Sequence, residues 1–322
     1  MTDQASTPAQ TPQPTILPAD TLALTFPSHV DSTMLSSSDS CLQKYFLEFI
    51  QHWSPQATSI DLHAGGAMAA GIEAVRRALW QRNLEPRAAI IEGIKSFIMY
   101  WGDFEAPENH TKSFVNVLLA MLDYFQVYHP HTDPIEPYIL QSGKPAVEFT
   151  FAFPTDVIHP ETGDPILYSG RFDLLGYFNK TLFIIDEKTS GRGMSEEQMT
   201  LYKMRGQFLG YAWAARMSGF KVNDALVRLI VIQKTQFQQL PILVSLPDWQ
   251  IDRSYEEMNA KLQRLVDCWQ AARWPYSYGD ACSSWGGCTF LSLCTAKDPT
   301  IWIQDFTKRT WDPLKRDPTW DE

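Results

Sequence analysis

The sequence predicts an α/β fold: a central mixed sheet flanked by helices, with a helical part on its N-terminal side. Three observations predict it. Apolar residues recur at helical spacing up to about residue 128. From Val147 the pattern changes to alternation, then to short continuous apolar runs such as Leu182–Ile185, as in strands covered on both faces. Helical spacing returns between and after those runs. Elements in this order bury their apolar faces best as a sheet with helices packed on it.

The chain has 322 residues, enough for one large domain with a real core. Residues 1–20 are rich in Thr, Pro and Gln, and residues 1–35 read as a flexible tail. This start lacks the basic end and apolar centre of a secretory leader. No apolar run reaches membrane-spanning length, so the expected location is the cytoplasm, or the host cytoplasm for a viral protein. Leu42 to Trp53 predicts a short helix with Tyr45, Phe46, Phe49 and Ile50 on one side. Gly65–Gly66 is expected to turn the chain into a second helix carrying Ala67, Ala70, Ala74, Ala78 and Leu79. Residues 84–135 read as a helical insertion, with helices over 88–101 and 111–128. Val115, Leu118, Leu119, Leu122 and Phe125 would form the apolar stripe of the latter.

Residues 147–153 alternate as a strand should, and 167–178 with 181–186 form a hairpin tipped by Asn179–Lys180. Ser195 with Gln198 is a capping box for a helix reaching Met217, stopped by Gly219. Ala225–Ile232 and Ile242–Leu246 are expected as buried strands. Ser254 with Glu257 is expected to cap a helix whose Met258, Leu262, Leu265, Val266 and Trp269 share a face. Residues 36–296 would make up the main domain, and residues 297–322 a Trp-rich charged tail.

The net charge of -10 argues against a protein coated by nucleic acid, because binding a polyanion needs local Lys and Arg. It permits a basic groove on an acidic body, and Arg171, Lys203, Arg205 and Arg216 are candidates for one. There is no GxxxxGK[ST] phosphate loop and no GxSxG elbow. His129 and His131, the closest histidine pair, lie in a Pro-rich stretch without a zinc-hydrolase pattern.

The densest chemistry lies in residues 170–188. Asp173 and Asp186 fall on adjacent strands of the hairpin, and their side chains converge if the register puts them on one face. The period of two returns Lys188 to the face of Asp186 and sends Glu187 to the other, leaving Glu187 only its backbone carbonyl to offer. Two carboxylates suffice for Mg²⁺ or Mn²⁺, which keep several waters, and a lysine beside them can act on an attacking water at a phosphate. Downstream, Gln207 and Tyr211 are one helical turn apart and share a face, with Arg205 beside them.

Gly170-Arg-Phe-Asp173, Ile185-Asp-Glu-Lys-Thr189 and Gln207-x-x-x-Tyr211 resemble, in order, three motifs of the RecB-like branch of the PD-(D/E)XK nuclease superfamily. That branch includes CRISPR-adaptation nucleases, the AddB nuclease domain and many phage exonucleases. The resemblance implies a restriction-endonuclease-like core. It implies that Asp173 and Asp186 bind the metal, that Lys188 is the catalytic lysine, with Glu187 between them, and that Gln207, Tyr211 and Arg205 support the site or contact DNA. Glu73 is the best match to the acidic residue supplied by an upstream helix, and Glu148 resembles a further acid of some phage members. Two departures stand out: Phe172 precedes Asp173 where the superfamily's name has Pro, and Ala69 stands where many relatives carry His.

Of the five cysteines, Cys268 falls within a helical pattern and reads as a small apolar residue. Cys282, Cys288 and Cys294 are separated by five intervening residues each, unlike the CxxC pairs of zinc fingers. Four thiolates can hold an iron–sulfur cluster. The resemblance implies one 4Fe-4S cluster on Cys41, Cys282, Cys288 and Cys294, with Zn²⁺ as the alternative. The expected activity is therefore that of a metal-dependent DNA nuclease, read as an exonuclease, in recombination, repair or viral DNA processing. Its partners would be DNA and a recombination or helicase protein, with no membrane. The alternative is a nuclease-like DNA-binding or scaffold protein with a structural metal site.

Overall fold

The computed structural model describes residues 24–283 and 287–314. In chain order the elements are β1 (His29–Val30), α1 (Ser32–Ser40), α2 (Leu42–Tyr45), β2 (Trp53–Pro55), α3 (Ile60–Trp80), α4 (Pro86–Trp101) and α5 (Phe114–Val127). Then come β3 (Ile135–Pro137), β4 (Val147–Ile158), β5 (Pro165–Phe178), β6 (Thr181–Ser190), α6 (Glu196–Thr200), α7 (Gly206–Met217), β7 (Asp224–Ile232), β8 (Phe237–Ser245), α8 (Asp248–Gln270) and, near the end, β9 (Phe306–Lys308). Among the described residues, seven strands make one sheet with path β1-β5-β6-β7-β8, and β3 and β4 also pair with β5. The sheet is mixed, as the sequence predicts: β6–β7 and β1–β5 are parallel, and the other pairs are antiparallel.

Helices cover both faces. On one, α3, α4 and α5 pack through Met68, Ile72, Val75, Phe97 and Met121 against Ile230 and Ile232 of β7. On the other, α1, α7 and α8 bury Phe208, Ala212, Leu262 and Leu265 against Ala225, Val227, Leu229 and Val231. The alternation along β7 thus feeds two cores, which explains its continuously apolar sequence.

The β5–β6 hairpin closes as expected. Asn179 and Lys180 both take left-handed φ, 49° and 67°, as a two-residue turn matched to strand twist requires. Elsewhere the boundaries differ for physical reasons. Gly65–Gly66 is no turn: α3 begins at Ile60, capped by Ser59, and runs through both glycines. Gly66 allows a close approach, since a Cβ there would fall 2.0 Å from the Tyr100 hydroxyl oxygen. The single helix expected after Ser195 is α6, a 3-10 turn over Leu201–Met204, and α7; the Ser195–Gln198 capping box is present, but Arg205 is extended and breaks the run. The cap expected at Ser254 is wrong: α8 begins at Asp248, and the Ser254 hydroxyl donates back to the Ile251 carbonyl. In α5 the buried stripe is Val117, Ala120, Met121, Tyr124 and Phe125, while Val115 and Leu119 are exposed.

Both expected tails are partly structured. From Leu24 the chain is packed: Phe26 and Val30 are buried, the Phe26 amide donates to Glu161, and β1 pairs with β5. Near the other end β9 pairs with β2, with Trp53 opposite Lys308. Residues 1–23 and 315–322 of those tails lie outside the described residues.

The helices of the α3–α4 layer approach so closely that a Cβ on Gly93 would lie 2.4 Å from Val75 Cγ2 and 2.8 Å from the Gly71 carbonyl oxygen. Gly93→Ala is therefore expected to cost about 1–3 kcal/mol through overpacking, visible as a melting temperature lowered by several degrees.

Candidate active site

The site forms where two strands part. β5 and β6 pair from Phe178–Thr181 up to Leu174–Ile185, and there their ladder ends. Beyond that point β5 pairs with β4, through Phe172–Phe149 and onward. β6 instead continues beside β7 through Asp186–Val227, Lys188–Leu229 and Ser190–Val231. Asp173 and Asp186 are the first residues past the parting, one on each strand. The Glu187 amide donates across the gap to Asp173 Oδ2 at 3.3 Å.

Asp186 has no exposure at all, and Asp173 is half-buried. Burial raises the Asp173 pKa well above the ordinary carboxylate value, and Asp186 and then Glu148 raise it further. Asp186 is raised too, chiefly by burial, although Lys188 and Arg205 pull it down. The Lys188 ammonium sits 2.8 Å from Asp186 Oδ1 and 2.8 Å from Oδ2, yet Oδ2 has no hydrogen-bond partner among the described residues. Burial alone would lower the Lys188 pKa, but Asp186 and Asp173 outweigh it, so the group stays an ammonium.

Glu148 stands opposite Asp173, between the pairs Val147–Leu174 and Phe149–Phe172. Its φ of 52° is left-handed, unusual for a residue with a side chain and costing on the order of 1–3 kcal/mol. The kink leaves it out of the ladder and delivers its carboxylate to the Arg171 guanidinium at 2.5 Å. Arg171, a candidate for a basic groove, is thus spoken for beside the acids. Arg216, another candidate, pairs with Asp248 and Asp252 on α8.

Glu187 faces the other side of the sheet, as alternation requires. Arg76 of α3 grips both its oxygens, and the Tyr124 hydroxyl donates to Oε1 at 2.9 Å. Arg228 of β7 donates to that same hydroxyl and to both Asp133 oxygens, at 2.7 and 2.6 Å. The Glu187 carboxylate is therefore committed to this network, and its amide faces Asp173. Glu73, one turn before Arg77 on α3, accepts from the Arg77 Nε at 2.6 Å. Of the neighbouring carboxylates, Asp186 acts most strongly on Asp173 and Glu148 next. Sequence reasoning ranked Glu73 above Glu148. The signal for Glu148 was its position opposite Asp173, which a register count across β4 and β5 would have found.

Gln207 and Tyr211 meet as predicted: the amide donates to the phenol oxygen at 3.1 Å. Tyr211 is buried against Phe172 and Phe151, and Asp173 and Asp186 act on its hydroxyl after burial has raised its pKa. Arg205 lies over the Tyr202 ring at 3.9 Å.

Among the described residues, no three His, Cys, Asp or Glu side chains are gathered closely enough to hold a metal ion. A divalent cation nevertheless fits the fork. It holds the fully buried Asp186, the half-buried Asp173 whose pKa Asp186 and Glu148 raise, one compensating lysine, and an oxygen with an unused lone pair. The cysteines are a second group. Cys288 and Cys294 pack with Leu47, Trp53, Phe290 and Phe306. Burial, then Cys288, Cys41 and Cys282, push the Cys294 thiol up to about 12, so those three lie within electrostatic reach of Cys294. Cys268 is buried in α8, as expected.

A carboxylic acid with a raised native pKa holds its proton longer folded than unfolded. The stability this gives is complete below the unfolded value near 3.9 and falls as pH rises towards the native one. Without metal, the protein is therefore expected to lose stability as pH climbs above about 4. Asp173→Asn should raise the melting temperature at neutral pH in chelator, measured by calorimetry. An unchanged or lowered value would show that Asp173 is not held against its charge.

The sequence matches the description of the PD-(D/E)XK nuclease superfamily over residues 34–295. No curated protein matches it. Among solved structures, SSO0001 is similar at 15% identity, covering 72% of this chain and 85% of that one, with a TM-score of 0.26. A protein from Eubacterium rectale named "Putative exonuclease" is similar at 12% identity, covering 76% of this chain and 100% of that one, with a TM-score of 0.30. With a match over most of its length and a mixed sheet that parts around Asp173, Asp186 and Lys188, the chain belongs to the PD-(D/E)XK nuclease superfamily.

Proposed function

We propose that the protein is a DNA nuclease dependent on Mg²⁺ or Mn²⁺, and that it degrades DNA from ends in recombination, repair or viral DNA processing. The observation that carries this reading is the fork: the buried Asp186 raises the pKa of the half-buried Asp173, and Lys188 lies on Asp186. Asp173 and Asp186 would hold the cation. Glu148, rather than the Glu73 expected from the sequence, would be the third carboxylate, since it acts on Asp173 directly and its backbone is bent to put it there.

When bound, the cation offsets the charge of the phosphate and lowers the pKa of water beside it. The residues do the rest. As a water oxygen bonds to phosphorus and the bond to the sugar oxygen breaks, negative charge grows on the phosphoryl oxygens. Lys188, kept cationic by Asp186 and Asp173, stabilises that charge, which favours this role over that of a base. The Glu187 network behind β6 fixes the strand carrying Asp186 and Lys188, and Gln207 with Tyr211 closes the α7 side. Cleavage of linear DNA with Mg²⁺ or Mn²⁺, sparing closed circles, is the expected result. Asp186→Asn and Lys188→Ala should each lose about 10²-fold or more in rate. Equal digestion by wild type and Asp186→Asn would sink the proposal.

The group of Cys41, Cys282, Cys288 and Cys294 supports an iron–sulfur cluster, with Zn²⁺ as the competing occupant. Bound there, it would tie the start of α2 to the segment leading to β9, a structural role. Protein prepared without oxygen should be brown with broad visible absorbance, and Cys288→Ser should bleach it. A colourless protein with stoichiometric zinc would assign zinc instead. No helix among the described residues is long and apolar enough to cross a membrane, in keeping with a nuclease that works in the cytoplasm, with a helicase or recombination protein as partner.

A further inference from the structure

From the front of the sheet a groove leads away from Lys188, between α7, α8 and the serine-rich α1. Its volume is about 1350 Å³, above the ~300–1,000 Å³ of clefts that take a small molecule. That volume leaves room for more than one unit of a polymer.

The lining is unlike the rest of this acidic chain. Lys44, Arg205, Arg253 and Lys261 join Lys188 along it. The acids that line it are Asp39, Glu48 and Glu257. Two of these are already engaged: Asp39 takes Lys261 at 2.7 Å, and Glu48 accepts from the Ser37 hydroxyl at 3.0 Å. With Lys261 held by Asp39 and Lys188 by Asp186, Lys44, Arg205 and Arg253 still outnumber Glu48 and Glu257, so positive charge is in excess inside the groove although the chain as a whole carries -10. On α1, Ser32 and Ser36 add side-chain hydroxyls able to meet phosphate oxygens.

The aromatic residues decide what form the polymer takes. Trp249, in the first turn of α8, also lines the groove and is 65% exposed, a large apolar surface left in water. Arg253 is one turn further on and shares its face, so a guanidinium follows an indole along the wall. Between α7 and α8, the buried Trp213 and the half-buried Tyr255 stack with ring centroids 4.7 Å apart at 11° and floor the same groove. An exposed ring beside cations, as Trp249 is, takes up a base by its flat face. A duplex hides those faces in its own stack.

Resting on the nuclease reading above, we propose that this groove guides single-stranded DNA to Lys188, with the Trp249 ring as stacking platform and Arg253, Lys44 and Lys261 along the phosphates. Binding is then insensitive to sequence, because every base has a stacking face, and it weakens steeply with salt.

The test is anisotropy of a fluorescein-labelled oligothymidylate and of a blunt labelled duplex, in chelator so that nothing is cut. The single strand should bind more tightly than the duplex. Trp249→Ala and Arg253→Ala should weaken it by roughly tenfold or more, while Val115→Ser, on the far α5 surface, binds as wild type. Because Trp249 is exposed, its variant should keep the wild-type melting curve. The proposal is overturned if both groove variants bind the oligothymidylate like wild type. It is also overturned if the duplex binds as tightly and suffers the same loss, or if an oligouridylate binds more tightly than the oligothymidylate. Binding in chelator needs no turnover. The groove can thus fail with cleavage intact, and cleavage can fail with the groove intact.

Discussion

Everything at the site follows from one break in the hydrogen-bond ladder. While β5 and β6 stay paired, their residues lie side by side and face the two cores. Where they part after Leu174 and Ile185, two backbones lose each other as partners and two aspartates enter the gap. Like charges gathered at such a place repel, and Asp186 raises the pKa of Asp173 beyond what burial does. A chain with nothing else to hold it would close the gap or expel the carboxyls. It does neither, because each strand leaves the parting already paired with another: β5 with β4, β6 with β7.

The rear of β6 supplies the second restraint. Asp186, Glu187 and Lys188 are consecutive, so the period of two divides them between faces. Glu187 goes to the side of α3 and α5, where leaving it unpaired would be costly. Arg76, Tyr124, Arg228 and Asp133 form one chain of charged and polar contacts around it. This network draws on α3, α5, β7 and the segment before β3. The strand that carries the front-face acid and lysine is therefore anchored through its own middle residue, and the helical layer is tied to the site without lining it.

Electrostatic strain is joined by backbone strain at Glu148. A left-handed residue within β4 interrupts the pairing at the one place facing Asp173. Strain of this kind persists only where the surroundings over-determine it. Here they do, since Phe149 and Phe151 lock β4 against β5 and Tyr211 on one side, and Arg171 holds the carboxylate on the other. The result is a concentration of negative charge beside a single ammonium.

The sequence by itself determined the hairpin and the covered strands, and it pointed to the candidate site residues that the fold brings together. Their signals are local: alternation, a two-residue turn, a lysine two places after an aspartate, and a glutamine one turn before a tyrosine. Its errors were of one kind. Gly65–Gly66 read as a turn because only the helix packed against α3, through Tyr100, shows why a Cβ is excluded. Ser254 read as a cap because nothing local distinguishes it from a serine bonding back within a helix. Val115 and Leu119 read as core because which side of a helix is covered depends on its neighbours. Tertiary structure alone decided that Glu148 stands opposite Asp173, that Glu187 is tied to Arg76, and that α1, α7 and α8 leave a charged groove lined in part by Lys188 and Trp249. Each of these depends on register or contact between segments far apart in the chain, and local periodicity carries no information about distance across the fold.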